Sequence, residues 1–211
     1  MKSAVATAKK VTMIGDVSND AERIIDINKP YSVSVRVHGA APYLFHRWSV
    51  DGVEAKSKAA KGSKAKKEDD LESYVYRNEK GILCVPAEQF RMSIVLAAKF
   101  KQDPRSPRKS AMDLFKAAIF PTEEYCSTGK KDWDYIDRRR VMIQRNGITR
   151  HRPALLAGWE VDATFEVVLP EYVSPELLHE VFSLAGRICG VGDFRPTFGR
   201  YQLTKFETTQ D

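Results

Sequence analysis

From Tyr31 the chain alternates, with Val33, Val35 and Val37 on one side and Ser32, Ser34 and Arg36 on the other. Successive side chains leave a strand in opposite directions, so a period of two with one apolar face predicts a half-buried β-strand. The extended run resumes after Gly39, from Ala41 to Trp48. Tyr74 to Val85 reads as a hairpin turning near Asn78–Gly81. Pro86 then suits the first turn of a helix whose apolar positions are Phe90, Ile94, Ala97 and Ala98. A basic loop from Lys101 to Lys109, broken by Pro104 and Pro107, precedes a short helix expected over Ser110–Ile119. Trp133 to Gln144 leads into a strand, and Asn146-Gly147 is a turn signal between two extended runs. Ala163 to Leu169 alternates again, with Phe165, Val167 and Leu169 on one face. Ser174 predicts a helix cap, Pro175 its first position, and Glu176 a favourable charge at its positive end. Leu177, Leu178, Val181, Phe182, Ala185 and Ile188 form the apolar stripe of that helix, Gly190 ends it, and Arg200 to Phe206 alternates as a last strand.

Two stretches lack such a pattern. Residues 1–28 mix small, polar and charged types and read as a loose arm, with Ile24, Ile25 and Ile27 available to pin its end to the core. Residues 52–72 form a mobile, Lys-rich insertion, with Lys56, Lys58, Lys61, Lys64, Lys66 and Lys67 followed by Glu68, Asp69, Asp70 and Glu72. With no apolar face, such a segment gains nothing that offsets the entropy of ordering. The remainder, 29–211, is expected to form one domain; 211 residues with 43% hydrophobic content support one sizeable core.

The net charge of +6 makes a polyanionic partner reasonable, although many basic proteins bind nothing anionic. Cys84, Cys126 and Cys189 are odd in number and widely spaced, which argues against a disulfide framework and a zinc site and fits buried thiols in a reducing cytoplasm. An apolar leader and a run of eighteen apolar residues are both missing, so a cytoplasmic protein with no membrane partner is expected.

The most informative segment is Cys189-Gly190-Val191-Gly192-Asp193-Phe194-Arg195-Pro196-Thr197-Phe198-Gly199-Arg200-Tyr201. Its glycines let a backbone approach a phosphate or another chain, its arginines supply charge, and its aromatic rings can stack on bases. The plain alternative is a helix cap followed by a tight turn. A dinucleotide fingerprint is excluded, because those glycines follow a strand and open a helix, the reverse of the order here. Strand, helix, glycine-rich loop, strand is the second half of a ferredoxin-like unit.

At this loop the sequence resembles the RAMP superfamily, the RNA-binding proteins of CRISPR systems. Their C-terminal signature is a hydrophobic residue, Gly-x-Gly, five or six residues, then Gly and hydrophobics. Cys189-Gly-Val-Gly, then Asp193 to Phe198, then Gly199-Arg-Tyr-Gln-Leu is similar to it. Gly81 to Met92 resembles that family's strand-to-helix entry, and Ile148 to Trp159 its arginine-rich segment before the third core strand. The resemblance implies an α+β fold: a ferredoxin-like, RNA-recognition-motif-like antiparallel sheet with helices on one face and inserted basic loops. It is nearest to the effector-complex backbone subunit; a compact phage or mobile-element relative would account for the short chain. It also implies head-to-tail self-association along a strand and partnership with other effector subunits.

A second basic cluster comprises Arg138, Arg139, Arg140, Arg145, Arg150, His151 and Arg152, with no acid inside it. Its arginines suit phosphate contact, or pair with Asp132, Asp134 and Asp137 on a solvated hairpin. The expected nucleic-acid track therefore crosses the sheet beneath the glycine loop. Arg195 and Arg200 hold phosphates there, Phe194, Phe198 or Tyr201 contact bases or sugars, and Gly190, Gly192 and Gly199 allow close approach. Arg145, Arg150 and Arg152 extend it, with His46 and Arg47 alongside. No Walker loop, HExxH, GxSxG or paired carboxylate motif is present, and no cofactor, metal or catalytic residue is expected. The expected function is non-catalytic binding of single-stranded nucleic acid, RNA or DNA, in a ribonucleoprotein or CRISPR-like assembly. A metal-independent endoribonuclease using His38 or His46, a single-stranded DNA or recombination protein, and a binder of an acidic protein remain alternatives.

Overall fold

The computed structural model describes residues 26–48, 70–143 and 146–210, together with Glu54 and Lys58. The lysines at 56, 61, 64, 66 and 67, Ile24 and Ile25, and Arg145 lie outside the described residues.

The alternating segments build the main sheet. Strands β1 (Tyr31–Gly39), β7 (Ile119–Pro121), β11 (Glu160–Val167) and β12 (Tyr201–Thr209) lie in the order β12-β1-β11-β7 with every neighbouring pair antiparallel. Helices α1 (Ala87–Ala97) and α3 (Pro175–Ile188) cross between them, so in chain order the sheet reads fourth, first, third, second strand. That is the ferredoxin-like α+β arrangement. A third, short helix, α2 (Met112–Ala118), leads into β7.

Val33, Val35 and Val37 of β1 and Val161, Ala163, Phe165 and Val167 of β11 are buried together against both long helices. The ring of Phe165 meets Phe182 edge-on at 5.7 Å, and Tyr201 meets Phe90 at 5.5 Å. Ser174 caps α3 as expected, its hydroxyl accepting from the Leu177 N–H at 3.3 Å, with Pro175 at the first position. Ile188, assigned to the apolar stripe, is 39% exposed, because the stripe leaves the core one turn before the helix ends.

Three further pieces depart from the sequence pattern. The run Ala41–Trp48 pairs only at β2 (Tyr43–Leu44), which joins β9 (Tyr135–Ile143) and β10 (Asn146–Leu155) in a second sheet. Asn146 and Gly147 are not its turn: they lie in the ladder, paired with Ile143 and Met142. The basic loop at 101–109 is a small hairpin of β5 (Gln102–Asp103) and β6 (Ser106–Ser110). The hairpin at 76–86 forms as read, from β3 (Tyr76–Arg77) and β4 (Leu83–Pro86), with β8 (Tyr125–Ser127) alongside. Pro86, read as part of the first turn of that helix, is its N-cap, immediately before Ala87.

Ile27 is 61% exposed, so it does not anchor the arm. Gln210, just past β12, ties the described residues before β1: its amide accepts from the Asp26 N–H at 2.7 Å and donates to the Lys29 carbonyl at 2.6 Å. Cys84 and Cys126 are buried free thiols, and burial pushes the Cys126 thiol up to about 12. Among the described residues no helix is long and apolar enough to cross a membrane.

Candidate nucleic-acid interface

The loop between α3 and β12 is held by backbone bonds at both ends. Gly190 N–H closes the helix on the Ala185 carbonyl at 3.0 Å, and Val191 N–H reaches the Gly199 carbonyl at 3.0 Å. Gly199 sits at φ +69°, and a side chain there would overlap the Val191 carbonyl oxygen. Only glycine allows this closure. The loop also docks on β2: Asp193 N–H donates to the Leu44 carbonyl at 3.1 Å and Gly199 N–H to the Pro42 carbonyl at 2.8 Å. Gln89 at the start of α1 completes the seat. Its side-chain oxygen accepts from the Gly192 N–H at 3.0 Å and from the Tyr43 hydroxyl at 2.9 Å.

The loop and the arginine-rich hairpin meet directly. The guanidinium of Arg139, in β9, lies 4.6 Å from the ring centre of Phe194 and 4.3 Å from that of Phe198. Asp137 fixes it in that pose through a two-pronged contact at 2.5 and 2.6 Å, which raises the Arg139 pKa further. Beneath it Arg152, 2% exposed, donates from Nε to Asp193 Oδ2 at 2.9 Å and lies over the Tyr74 ring at 4.5 Å. His46 Nδ1 is 3.5 Å from the same Asp193 oxygen. Partial burial holds its imidazole below the usual value, and the charges of Arg152 and Arg150 add to this while Asp193 opposes it.

The expected contact residues divide into two groups. Arg195 and Arg200 are exposed and make no ion pair with a described residue; Arg150, half-buried on the strand facing Arg139, makes none either. Phe194 and Phe198 are half-exposed and flank Arg139, and Gly192 is partly open. His46 and Arg47 are exposed beside the loop, with Arg47 reaching over Tyr76 at 5.9 Å. The second group is structural. Tyr201 is a core residue, 1% exposed, whose hydroxyl meets Ser93 Oγ at 2.7 Å; burial pushes its pKa far above the ordinary phenol value. Arg152 is a buried ion-pair partner, and Gly190 and Gly199 are buried closures. Arg145 lies outside the described residues.

The open face of the main sheet differs from an aromatic stacking platform. Arg36 pairs with Asp162 at 2.7 Å and His38 with Glu160 at 3.1 Å, with Lys205 bonded to Glu207 beside them. Its basic side chains are matched by carboxylates. Residues that the sequence pattern left without a role here are Gln89, Asp193 and Tyr74; it offered pairing of the hairpin arginines with Asp137, which Arg139 makes, and not the stacking of Arg139 on two rings. Asp193 carried one signal: it is the sole acid between Gly190 and Tyr201. Among the described residues no cluster of three or more His, Cys, Asp or Glu side chains could hold a metal.

No protein-family model matches the chain, and no curated protein matches it. Its fold is shared with a chain in the cryo-EM structure of the Type III-B Cmr-beta bound to cognate target RNA. That likeness has a TM-score of 0.51 at 10% identity and covers 86% of this chain and 61% of the other. The protein therefore spans about three-fifths of that chain's length. A chain in the crystal structure of the Csm3-Csm4 subcomplex of the type III-A CRISPR-Cas interference complex aligns more loosely, with a TM-score of 0.38 at 8% identity over 89% of this chain and 82% of that one.

Proposed function

We propose that this protein binds single-stranded RNA along the surface where the glycine-rich loop meets the β9–β10 hairpin, and does no chemistry on it. The observation that carries this reading is Arg139 clasped by Phe194 and Phe198. The clasp joins two segments, far apart in sequence, into one basic surface. Arg195, Arg200 and Arg150 present guanidiniums there that no described carboxylate neutralises. Arginine forks match phosphate oxygens, and the outer faces of the two phenylalanines remain for bases. The shared fold with a chain from an RNA-bound complex favours RNA over DNA. It also supports a place for this protein as a compact subunit of a ribonucleoprotein or CRISPR-like effector assembly, related to the RAMP proteins. Head-to-tail association along the strand belongs to the same reading.

A second reading rests on His46. Its imidazole lies beside Asp193, and partial burial lowers its pKa, which favours the neutral form a general base needs. In that case His46→Ala abolishes RNA cleavage while sparing affinity. The test of the main reading is binding to matched single-stranded RNA, single-stranded DNA and duplex at two salt concentrations. Intact RNA, bound more tightly than either DNA form and less tightly at high salt, supports it. Equal affinity for RNA and DNA would favour a single-stranded DNA-binding protein instead.

A further inference from the structure

A second basic surface lies at the opposite end of α1. The helix starts beneath the glycine loop, where Gln89 holds Gly192. Phe100 closes the 3-10 turn Ala98–Phe100 at its other end, roughly 18 Å along the axis from Gln89. Phe100 is 68% exposed, with Lys99 exposed beside it. The β5–β6 hairpin that follows is held rigidly. Ala111 N–H bonds the Lys101 carbonyl at 2.8 Å, and Lys101 itself pairs with Glu180 of α3. Arg105 grips Asp103 with its backbone N–H at 2.9 Å, Nε at 3.0 Å and Nη2 at 2.7 Å, and lies over the Tyr172 ring at 5.6 Å.

Those bonds engage Asp103 and Glu180, and they leave Arg108 and Lys109 exposed on the hairpin. Neither these two nor Lys99 makes an ion pair with a described residue. The turn between β5 and β6 is fixed by a carboxylate that is 3% exposed. A hairpin with a fixed turn, carrying cations that make no ion pair with a described residue beside an exposed phenyl ring, has the composition of a strand-binding surface, in which cations hold the backbone and the ring stacks on a base.

We infer that this end of the protein is a second contact for single-stranded nucleic acid, engaged by a strand long enough to reach past the glycine loop. The inference rests on the binding function proposed above. An acidic protein surface is the lesser fit, since it would leave the exposed phenyl ring without a stacking partner.

The test compares a four-nucleotide with a thirty-nucleotide single-stranded RNA, using wild type, the Phe100→Ala/Arg108→Ala/Lys109→Ala variant and the Arg195→Ala/Arg200→Ala variant. All three substituted positions at the hairpin end are exposed, so its unfolding midpoint should match wild type. This variant is expected to bind the long strand about tenfold or more weakly, the scale of one missing base stack. It should stay within about twofold of wild type on the short one. A photoreactive base near the end of the long strand should crosslink to the peptide containing Phe100. Unchanged affinity for the long strand, while the Arg195/Arg200 variant still loses binding, overturns this inference alone. Equal losses on both lengths also overturn it. Failure of wild type to bind either strand overturns the proposed function with it.

Discussion

Arg152 Nε donates to Asp193 Oδ2 at 2.9 Å, tying the second sheet to the glycine-rich loop through a guanidinium that is 2% exposed. The two residues are separated by 41 positions in the chain and come from elements that share no backbone ladder. The pair is therefore the internal counterpart of the outer Arg139 clasp, and both hold the hairpin to the loop.

Asp193→Ala strands the Arg152 charge without its carboxylate. Removing one partner of a buried pair typically costs about 3 kcal/mol or more. The expected outcome is a matching loss in urea denaturation, with much of it recovered when Arg152→Met is added. A loss below about 1 kcal/mol would mean that Arg152 finds water or another acceptor.

Gly199→Ala and Gly158→Ala separate backbone strain from steric closure. Both glycines have positive φ, +69° and +94°, but a side chain meets the Val191 carbonyl at the first and open space at the second. Gly158→Ala should cost about 1 kcal/mol, the strain of a left-handed residue. Gly199→Ala should cost several times as much, or fail to fold. Equal unfolding midpoints for the two would contradict the loop closure.

Arg139→Lys keeps the charge and loses the planar stack on Phe194 and Phe198. A stacked cation contributes about 1 kcal/mol, and a lysine cannot reproduce both ring contacts and the two-pronged Asp137 bond. Hydrogen exchange should speed up in β9, β10 and the loop and stay unchanged in β1, β11 and β12. Uniform acceleration would show that the clasp is not local.

His46 gives the stability a pH dependence. Its folded pKa is below its ordinary value, chiefly through desolvation and then through Arg152. The unfolded chain takes up this proton near about pH 6.5, and the folded chain takes it up only at lower pH. Below about 6.5 the unfolded state therefore binds more protons, and stability falls with falling pH until the folded pKa is passed. His46→Asn should flatten that acid limb in urea denaturation between about pH 7 and 5. An unchanged slope would remove His46 as its source.

Much of the main sheet was legible because its signals are local. Val33, Val35 and Val37 alternate within five residues, and Ser174-Pro175 marks a helix start by capping chemistry alone. Asn146-Gly147 misled because the turn preference of that dipeptide is weak beside the cross-strand register, which places both residues inside β10. The candidate site was legible in composition and not in geometry. Tyr201 and Arg200 are adjacent, yet the first, opening β12, is buried under α3 and the second, just before the strand, is exposed. Arg152 and Arg150 both read as basic surface, and only the fold shows that Asp193 draws the first inside. Gln89 has no sequence signal at all, since its role is defined by two groups, Tyr43 and Gly192, that the fold brings to it from distant positions.

The most direct test of the central claim is fluorescence anisotropy with a labelled thirty-nucleotide single-stranded RNA, comparing wild type with Arg195→Ala/Arg200→Ala at two salt concentrations. Both side chains are exposed, so the variant should unfold at the wild-type midpoint. The account predicts salt-sensitive binding by wild type, and a variant that binds at least about tenfold more weakly with a shallower salt dependence, by about 0.7 in slope for each phosphate left without its arginine. Wild-type affinity and salt slope in the variant would contradict it.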